Sequence, residues 1–360
     1  MIIAHEWNEY QMYKKRRNVD NNYLCFMIET QLHQLAQWLH TPSKMVIIPH
    51  KNPDGDAMGS TLAWQNVMQQ LGHTATVLAP NPYPTFLHWM PGHSDVVIYE
   101  SEEEKGNKLV AEADFIFTLD FNTLKRIDDL GIRVAESKAK KIMIDHHQEP
   151  EGYADLMFSE PHIGSTCELV YQLLERLDIR KHINKEVATC IYTGILTDTG
   201  SFRFPSVTAN THKAVAHLIE CGANHSHIHE QIKDTARPDR LKLLGIALQN
   251  MVFLYDINTV YITLSQDELD ACHFQKGDAE GFVNYGLSVE GIKVAVLMIE
   301  YRHEGLVKFS FRSKGDVAVN TFAKTYFDGG GHLNAAGGIS KRSLAQTKPF
   351  LVESLRAYFG

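Results

Sequence analysis

Eight polar residues have the types and spacing to do chemistry together: His50, Asp54 and Asp56, then Asp120, then the run Asp145, His146 and His147, and finally Asp198. Three apolar stretches that read as strands deliver the first seven: Met45 to Ile48, Asp114 to Leu119, and Lys141 to Ile144. Asp198 ends the apolar helical stretch Val187 to Leu196, placed to enter the same crevice. Taken singly, an aspartate after a strand is a helix cap or a turn residue. Together, at the one sheet edge where open parallel sheets bind ligands, five carboxylates repel and take up protons unless a counter-charge holds them. Divalent cations supply that charge. Mixed imidazole and carboxylate ligation suits manganese, with iron, cobalt and zinc as alternatives, better than the oxygen shells of magnesium or calcium. The side chains are too many for one tetrahedral ion. Two ions about 3.5–4 Å apart, sharing one aspartate, fit the count, and such a pair activates water and clamps a phosphoryl group.

The elements that must position these residues follow from periodicity. Ile28, Leu32, Leu35, Ala36 and Leu39 recur at helical spacing, and Met58, Leu62, Ala63 and Leu71 form another helix closed by Gly72. Ala75 to Ala79 adds a strand, and Ser165 with Glu168 reads as a capping box opening a helix. Asn184 caps a helix over Lys185 to Thr197, and the next runs from about Thr208 to Glu220, ending at Gly222. Alternating helices and strands predict an α/β fold, a parallel sheet with helices on both faces. From about residue 230 the rhythm changes. Helical Leu241 to Val252 leads to a strand over Thr259 to Leu264, then to Lys293 to Tyr301 and Leu306 to Phe311, an antiparallel hairpin joined through Glu304-Gly305. The reading is an extension over 1–26, a catalytic domain over 27–232, a linker region over 233–246 around Arg237-Pro238, and a smaller mixed α/β substrate-binding domain over 247–360.

Composition narrows the function. At 360 residues, 44% hydrophobic and 22% charged, the chain has apolar material for two cores and none of the bias of disordered or fibrous sequences. Its longest purely apolar run, Val294 to Ile299, is far short of the roughly 20 residues a membrane helix needs. No signal-peptide pattern precedes the basic run Lys14 to Arg17, so a cytoplasmic, membrane-free protein is expected. Five scattered cysteines (Cys25, Cys167, Cys190, Cys221, Cys272) form no C-x-x-C pair and read as buried thiols. A formal charge of −8 argues against coating long nucleic acid, including long duplex DNA, and leaves a short or mononucleotide-sized anion as partner. A homodimer is left open.

The strings HKNPDGDAMGS (50–60), TLD (118–120), DHH (145–147) and TDTGSFRF (197–204) resemble the four motifs of the DHH phosphoesterase superfamily. FRSKGDV (311–317) and GGGHLNAAGG (329–338) resemble the companion substrate domain of its NrnA-like branch, the nanoRNases and pAp phosphatases. The match covers nearly everything from residue 27 on. It implies that His50, Asp54 and Asp120 hold one manganese ion and that Asp56, Asp120, His146 and Asp198 hold the other, with Asp120 as the bridge. His147 would touch the substrate phosphate, and Asp145 would orient the site from behind. Arg312 would grip a phosphate by its fork, and the amides of Gly329, Gly330 and Gly331 with His332 would receive the nucleotide's terminal phosphate. Asp328 departs from the pattern, standing where the family commonly has another glycine.

Read without the family, three successive glycines let a backbone approach an anion with its amides exposed, and a flexible turn is equally compatible; His332 beside them favours the anion. Arg203 is a third candidate phosphate contact, with a surface salt bridge as the alternative. The histidine tract His225, His227, His229 has no carboxylate cluster beside it and reads as surface, as does Glu102 to Glu104.

The resemblance implies a hydrolase acting by in-line attack on phosphorus, trimming short oligoribonucleotides to mononucleotides and converting 3′-phosphoadenosine 5′-phosphate (pAp) to AMP. Alternatives are a cyclic-dinucleotide or linear-dinucleotide phosphodiesterase, or a non-catalytic nucleotide sensor. A manganese pyrophosphatase is disfavoured because its partner domain is expected to lack GGGH, and a RecJ-like exonuclease because it should be longer and more basic.

Overall fold

The computed structural model describes residues 29–360, which divide into two compact units, the first ending at Asp234 and the second running Thr235–Gly360. The N-terminal extension read over 1–26, its basic run and Cys25 lie outside the described residues.

The first unit begins with α1 (residues 29–38), β1 (Lys44–Ile48), α2 (Gly55–Gln70), β2 (Thr74–Ala79), β3 (Val97–Ile98) and α3 (Glu103–Glu112). It continues with β4 (Phe115–Leu119), α4 (Asp128–Glu136), β5 (Lys140–Asp145), β6 (Leu156–Ser159), α5 (Thr166–Arg176), α6 (Lys185–Asp198), α7 (Ala209–Glu220) and α8 (His225–Lys233). The strands form one parallel sheet in the order β3-β2-β1-β4-β5-β6. Successive strand side chains point to opposite faces. In β1, Met45 and Ile47 therefore join a core with Leu62 and Trp64 of α2 and Ile191 and Ile195 of α6. Val46 and Ile48 join a second core with Val110 of α3 and Val134 of α4. Trp64 and Phe117, both fully buried, each contribute about 1.5–3 kcal/mol of apolar burial.

Close packing of α2 on α6 fixes their relative position. A Cβ at Gly194 would lie 2.1 Å from Cys167 Sγ and 2.7 Å from Asp56 Oδ1, and one at Gly55 would lie 2.5 Å from Thr197 Oγ1. Only glycine lets these helix faces meet. The predicted capping box at α5 forms by half: Ser165 accepts from the Glu168 amide, but the Glu168 carboxylate accepts from Thr211 Oγ1 instead.

The second unit runs α9 (Pro238–Gln249), β7 (Val252–Leu254), β8 (Thr259–Leu264), α10 (Gln266–Ala271), α11 (Phe282–Leu287), β9 (Val294–Tyr301) and β10 (Leu306–Ser313). It ends with α12 (Val319–Tyr326), β11 (Gly330–His332), β12 (Ala335–Ser340) and α13 (Leu344–Phe359). Its sheet has the order β11-β12-β10-β9-β8-β7 and is antiparallel except where β8 pairs with β9. Strand alternation again makes two cores. Val294, Val296, Phe309 and Phe311 pack under α12 and α13, while Ala295, Leu297 and Ile262 pack under α9 and α11. The stretch read as a linker over 233–246 is mostly α9, whose Leu243 and Ala247 are buried in this second core. Arg237-Pro238 opens that helix, since proline suits its first turn. No described helix is long and apolar enough to cross a membrane.

Candidate metal centre

Chain order reverses between β1 and β4, adjacent at the middle of the first sheet, and the crevice beyond their carboxyl ends is where such sheets bind ligands. His50 and Asp54 follow β1, and Asp120 follows β4. Asp54 is the N-cap of α2: its Oδ1 accepts from the amides of Asp56 at 3.0 Å and Ala57 at 3.1 Å. Its Oδ2 lies 3.8 Å from His50 Nε2. Capping and facing the site are thus divided between two oxygens of one carboxylate. Asp56, in the first turn of α2, is buried, and its oxygens accept from Thr166 N at 2.7 Å and Cys167 N at 2.9 Å, the exposed donors of the α5 N-terminus. Asp120 has φ 67°, a left-handed backbone that L residues rarely adopt and that clusters at functional sites.

Asp120 looks two ways. Its Oδ2 is 3.5 Å from His50 Nε2, and its Oδ1 is 3.5 Å from His146 Nε2. On the far side of His146, Asp198 Oδ2 lies at 3.3 Å and Asp56 Oδ2 at 3.9 Å. His50, Asp54 and Asp120 therefore form one group able to hold a cation, and Asp56, His146 and Asp198 another. Both imidazoles are pre-set as ligands. His50 Nδ1 sits 2.8 Å from the Lys51 carbonyl and His146 Nδ1 3.3 Å from the Ile163 carbonyl. A carbonyl only accepts, so Nδ1 keeps its proton and Nε2 is the nitrogen turned inward, able to ligate once it is deprotonated. Thr166 Oγ1 donates to Asp120 Oδ1 at 2.9 Å and fixes its rotation.

The electrostatics are those of a site awaiting positive charge. Burial and the neighbouring Asp120 carboxylate push Asp56 up. Burial, with Asp54 and Asp120 adding to it against the pull of His146, pushes Asp198 up to about 7. Burial would depress His146, but Asp120, Asp198 and Asp56 outweigh it and carry it up to about 9. Asp120 stays well below the usual carboxylate range: burial opposes ionisation, yet the His50 hydrogen bond and the charges of His147, His50 and His146 prevail. Among the described residues no lysine or arginine is ion-paired to Asp54, Asp56, Asp120 or Asp198. Two nitrogen donors and four carboxylates without a basic partner fit a pair of divalent cations of the manganese type.

The remaining predicted residues are placed as follows. Asp145, fully buried, has Oδ1 2.7 Å from His147 Nδ1. His147 Nδ1 is also within ligand range of Asp120, but its contact with Asp145 takes that nitrogen. Arg203 is exposed beyond α6, its Nε donating to the Gly200 carbonyl at 2.9 Å. In the second unit, Arg312 on β10 and His332 on β11 both stand opposite Ala335 of β12. Directly paired residues share a sheet face, so the two flank one small side chain on the side away from buried Phe309 and Phe311.

The glycine run is not the open loop expected. Gly330 and Gly331 lie in strand β11, and the Gly329 amide donates to the Ala323 carbonyl at 3.2 Å. Gly329 and Gly331 are required because a Cβ would lie 2.0 Å from the Gly337 carbonyl oxygen and 2.4 Å from that of Ala335. Asp328 has φ 45°, which accounts for a glycine preference there. His225, His227 and His229 sit on α8 outside every cation-binding group among the described residues. Cys167, Cys190 and Cys272 are buried thiols, while Cys221 is half-buried.

Sequence reading missed Thr166 and Arg126. Thr166 follows the recognised cap Ser165, so its place at the start of α5 carried a signal. Arg126, whose Nη1 lies 2.8 Å from His147 Nε2, had none.

Comparison with known proteins places these motifs in context. The DHH family N-terminal domain matches residues 44–195, and the DHHA1 domain matches 270–360. The bifunctional oligoribonuclease and PAP phosphatase NrnA of Thermus thermophilus is 31% identical over 314 residues, 86% of this chain and 88% of that protein. Its Bacillus subtilis namesake is 29% identical over 308 residues, 84% of this chain and 91% of that protein. A solved exopolyphosphatase-related protein from Bacteroides fragilis is 38% identical, with a TM-score of 0.89, covering 91% of this chain and 96% of that one.

Proposed function

The chain belongs to the DHH family and is a phosphoesterase of its NrnA-like branch, and from that premise we propose that it hydrolyses short oligoribonucleotides to mononucleotides and pAp to AMP with two divalent cations, manganese by preference. The observation that carries the two-cation reading is Asp120, whose two oxygens face the Nε2 atoms of different histidines. His50, Asp54 and Asp120 would hold one ion, and Asp56, Asp120, His146 and Asp198 the other. When bound, such a pair supplies an activated water and stabilises charge on phosphorus during in-line displacement. The protein's own groups do the rest. Asp56 is locked by the α5 amides and Asp120 by Thr166, so the carboxylates need not reorganise. Asp145 holds His147 in place beside the reacting phosphate.

Arg312 and His332, on one sheet face with only Ala335 between them, are the proposed phosphate-gripping pair of the second unit, the arginine by its planar fork. Of the three glycine amides, that of Gly329 donates to Ala323, and those of Gly330 and Gly331, in the ladder of β11 with β12, remain the proposed contacts. Arg203, fastened to Gly200, is a secondary candidate. The protein is proposed to be cytoplasmic and to bind neither membrane nor long duplex DNA; a homodimer is compatible with this reading.

The test is purified protein with manganese and a panel of pAp, dinucleotides, five-mers, long single-stranded DNA and pyrophosphate. Mononucleotide release from the short substrates is expected. Consumption of pyrophosphate alone would overturn the assignment, and a preference confined to linear dinucleotides would move it to the dinucleotide phosphodiesterases.

A further inference from the structure

We propose that Arg126 binds a phosphate of the substrate in the catalytic unit, and that His147 is its positioning residue rather than the phosphate's partner. This rests on the phosphoesterase reading above and reassigns one role within it.

The argument starts from the two nitrogens of His147. Nδ1 is 2.7 Å from Asp145 Oδ1. The carboxylate accepts, so Nδ1 carries the proton and Nε2 carries the lone pair. That lone pair faces Arg126 Nη1 at 2.8 Å, and the guanidinium can only donate. The chain of contacts therefore reads Asp145, His147, Arg126, each ordering the next. In it His147 has no N–H left to offer a phosphate oxygen. Arg126 has used one of its five N–H groups.

The backbone around Arg126 is braced at the site. It lies in the turn Leu124–Ile127 that follows β4 and Asp120, started by Thr123, whose Oγ1 accepts from the Lys125 amide. The Arg126 carbonyl accepts from the Lys51 amide at 2.8 Å, tying this turn to the residue next to His50. Asn122 Nδ2 donates to the Gln148 carbonyl at 2.6 Å, tying it also to the residue after His147. The turn thus spans the loops that supply both halves of the metal centre.

The two lysines on either side of this turn already have carboxylate partners. Asp128 pairs with Lys51, and Glu151 with Lys125. Among the described residues Arg126 has no carboxylate partner and no hydrogen bond from its side chain other than that to His147. A half-buried arginine held beside the cation groups and lacking an anion is matched by a phosphate oxygen, for which the guanidinium fork is suited.

The experiment compares wild type with R126Q, R126K, H147Q and the double variant R126Q/H147Q. Manganese binding is read first, then equilibrium binding of pAp and of inorganic phosphate to the manganese-loaded proteins, then KM and kcat separately. R126Q is expected to weaken binding of both probes and raise KM by about ten- to a hundred-fold, the loss of one charge-assisted contact, with manganese affinity within about two-fold. R126K, which keeps a charge and a donor to His147, should recover part of the loss and guards against a folding effect. H147Q offers one donor and one acceptor and should lose less than R126Q. The double variant should be no worse than R126Q, because His147 acts through Arg126. Wild-type binding and KM in R126Q, or additive losses in the double variant, overturn the proposal. So does a manganese affinity that falls as far as substrate binding, which would make Arg126 a brace of the metal loops. If wild type hydrolyses none of the panel while R126Q still binds inorganic phosphate more weakly, Arg126 keeps its role and the substrate assignment falls.

Discussion

Replacing Asp198 by asparagine should stabilise the metal-free catalytic unit while removing its ability to work. The carboxyl ordinarily titrates at 3.8, and in the fold burial and the carboxylates of Asp54 and Asp120 push it up to about 7. At 1.36 kcal/mol per pH unit that gap corresponds to about 4 kcal/mol in a sealed interior. The side chain is 35% exposed, so solvent screening reduces the figure to about 1–2 kcal/mol. Below 3.8 the group is neutral in both folded and unfolded chains, and no penalty exists. Between 3.8 and about 7 the unfolded chain ionises first and stability falls; above 7 the full penalty persists. Asparagine keeps the shape and removes the charge. The metal-free D198N protein should therefore melt a few degrees above wild type at pH 8, at about 2–4 °C per kcal/mol, and level with it near pH 4. Manganese should reverse the order. Wild type gains about 2.7 kcal/mol per ion at a hundred times its Kd, whereas loss of a direct carboxylate ligand should cost more than the roughly 100-fold upper bound for outer partners. The assay is differential scanning calorimetry of both proteins, chelated and manganese-loaded, at pH 4 and 8. A metal-free D198N that melts below wild type at pH 8, or one that still binds two ions and turns over, would refute the reasoning.

Manganese binding should release protons, because His146, carried up to about 9 without an ion, is protonated at pH 7.5 and must become neutral to ligate; affinity should climb about tenfold per pH unit from 7 toward 9, and a calorimetric enthalpy independent of buffer would contradict this. G194A should destabilise the first unit by about 1–3 kcal/mol and abolish paired metal binding, since the new methyl meets Cys167 Sγ and Asp56 Oδ1; a normal urea midpoint and two bound ions would show that α2 and α6 can yield. R312A should raise the KM for pAp by about ten- to a hundred-fold with little change in kcat or manganese stoichiometry; an unchanged KM would remove Arg312 from the substrate.

Much of this was legible in sequence because the relevant signals are local. An apolar run such as Met45 to Ile48 declares a strand by its own residues, and β1, β4 and β5 appear within a residue or two of the expected bounds. Each strand carries its polar residues at its carboxyl end, so a parallel sheet brings them to one edge whatever the loops do. The linker reading failed because proline and charge around residue 237 mark a boundary equally well when a helix begins there, and only packing showed Leu243 and Ala247 inside a core. The glycine run failed as a loop for a similar reason: three glycines are compatible with an open nest or with a crowded strand, and the carbonyls of Gly337 and Ala335, brought up by β12, decide for the strand.

By itself, then, the sequence determined the donor chemistry and the strands that present it. Tertiary structure alone decided which oxygen of Asp120 faces which histidine, that Thr166 locks it, and that His147 points its lone pair at Arg126. Those are relations between residues far apart in the chain, set by angles and distances of a few ångströms. No periodicity or spacing along one strand of sequence encodes such geometry before the sheet and its helices have packed.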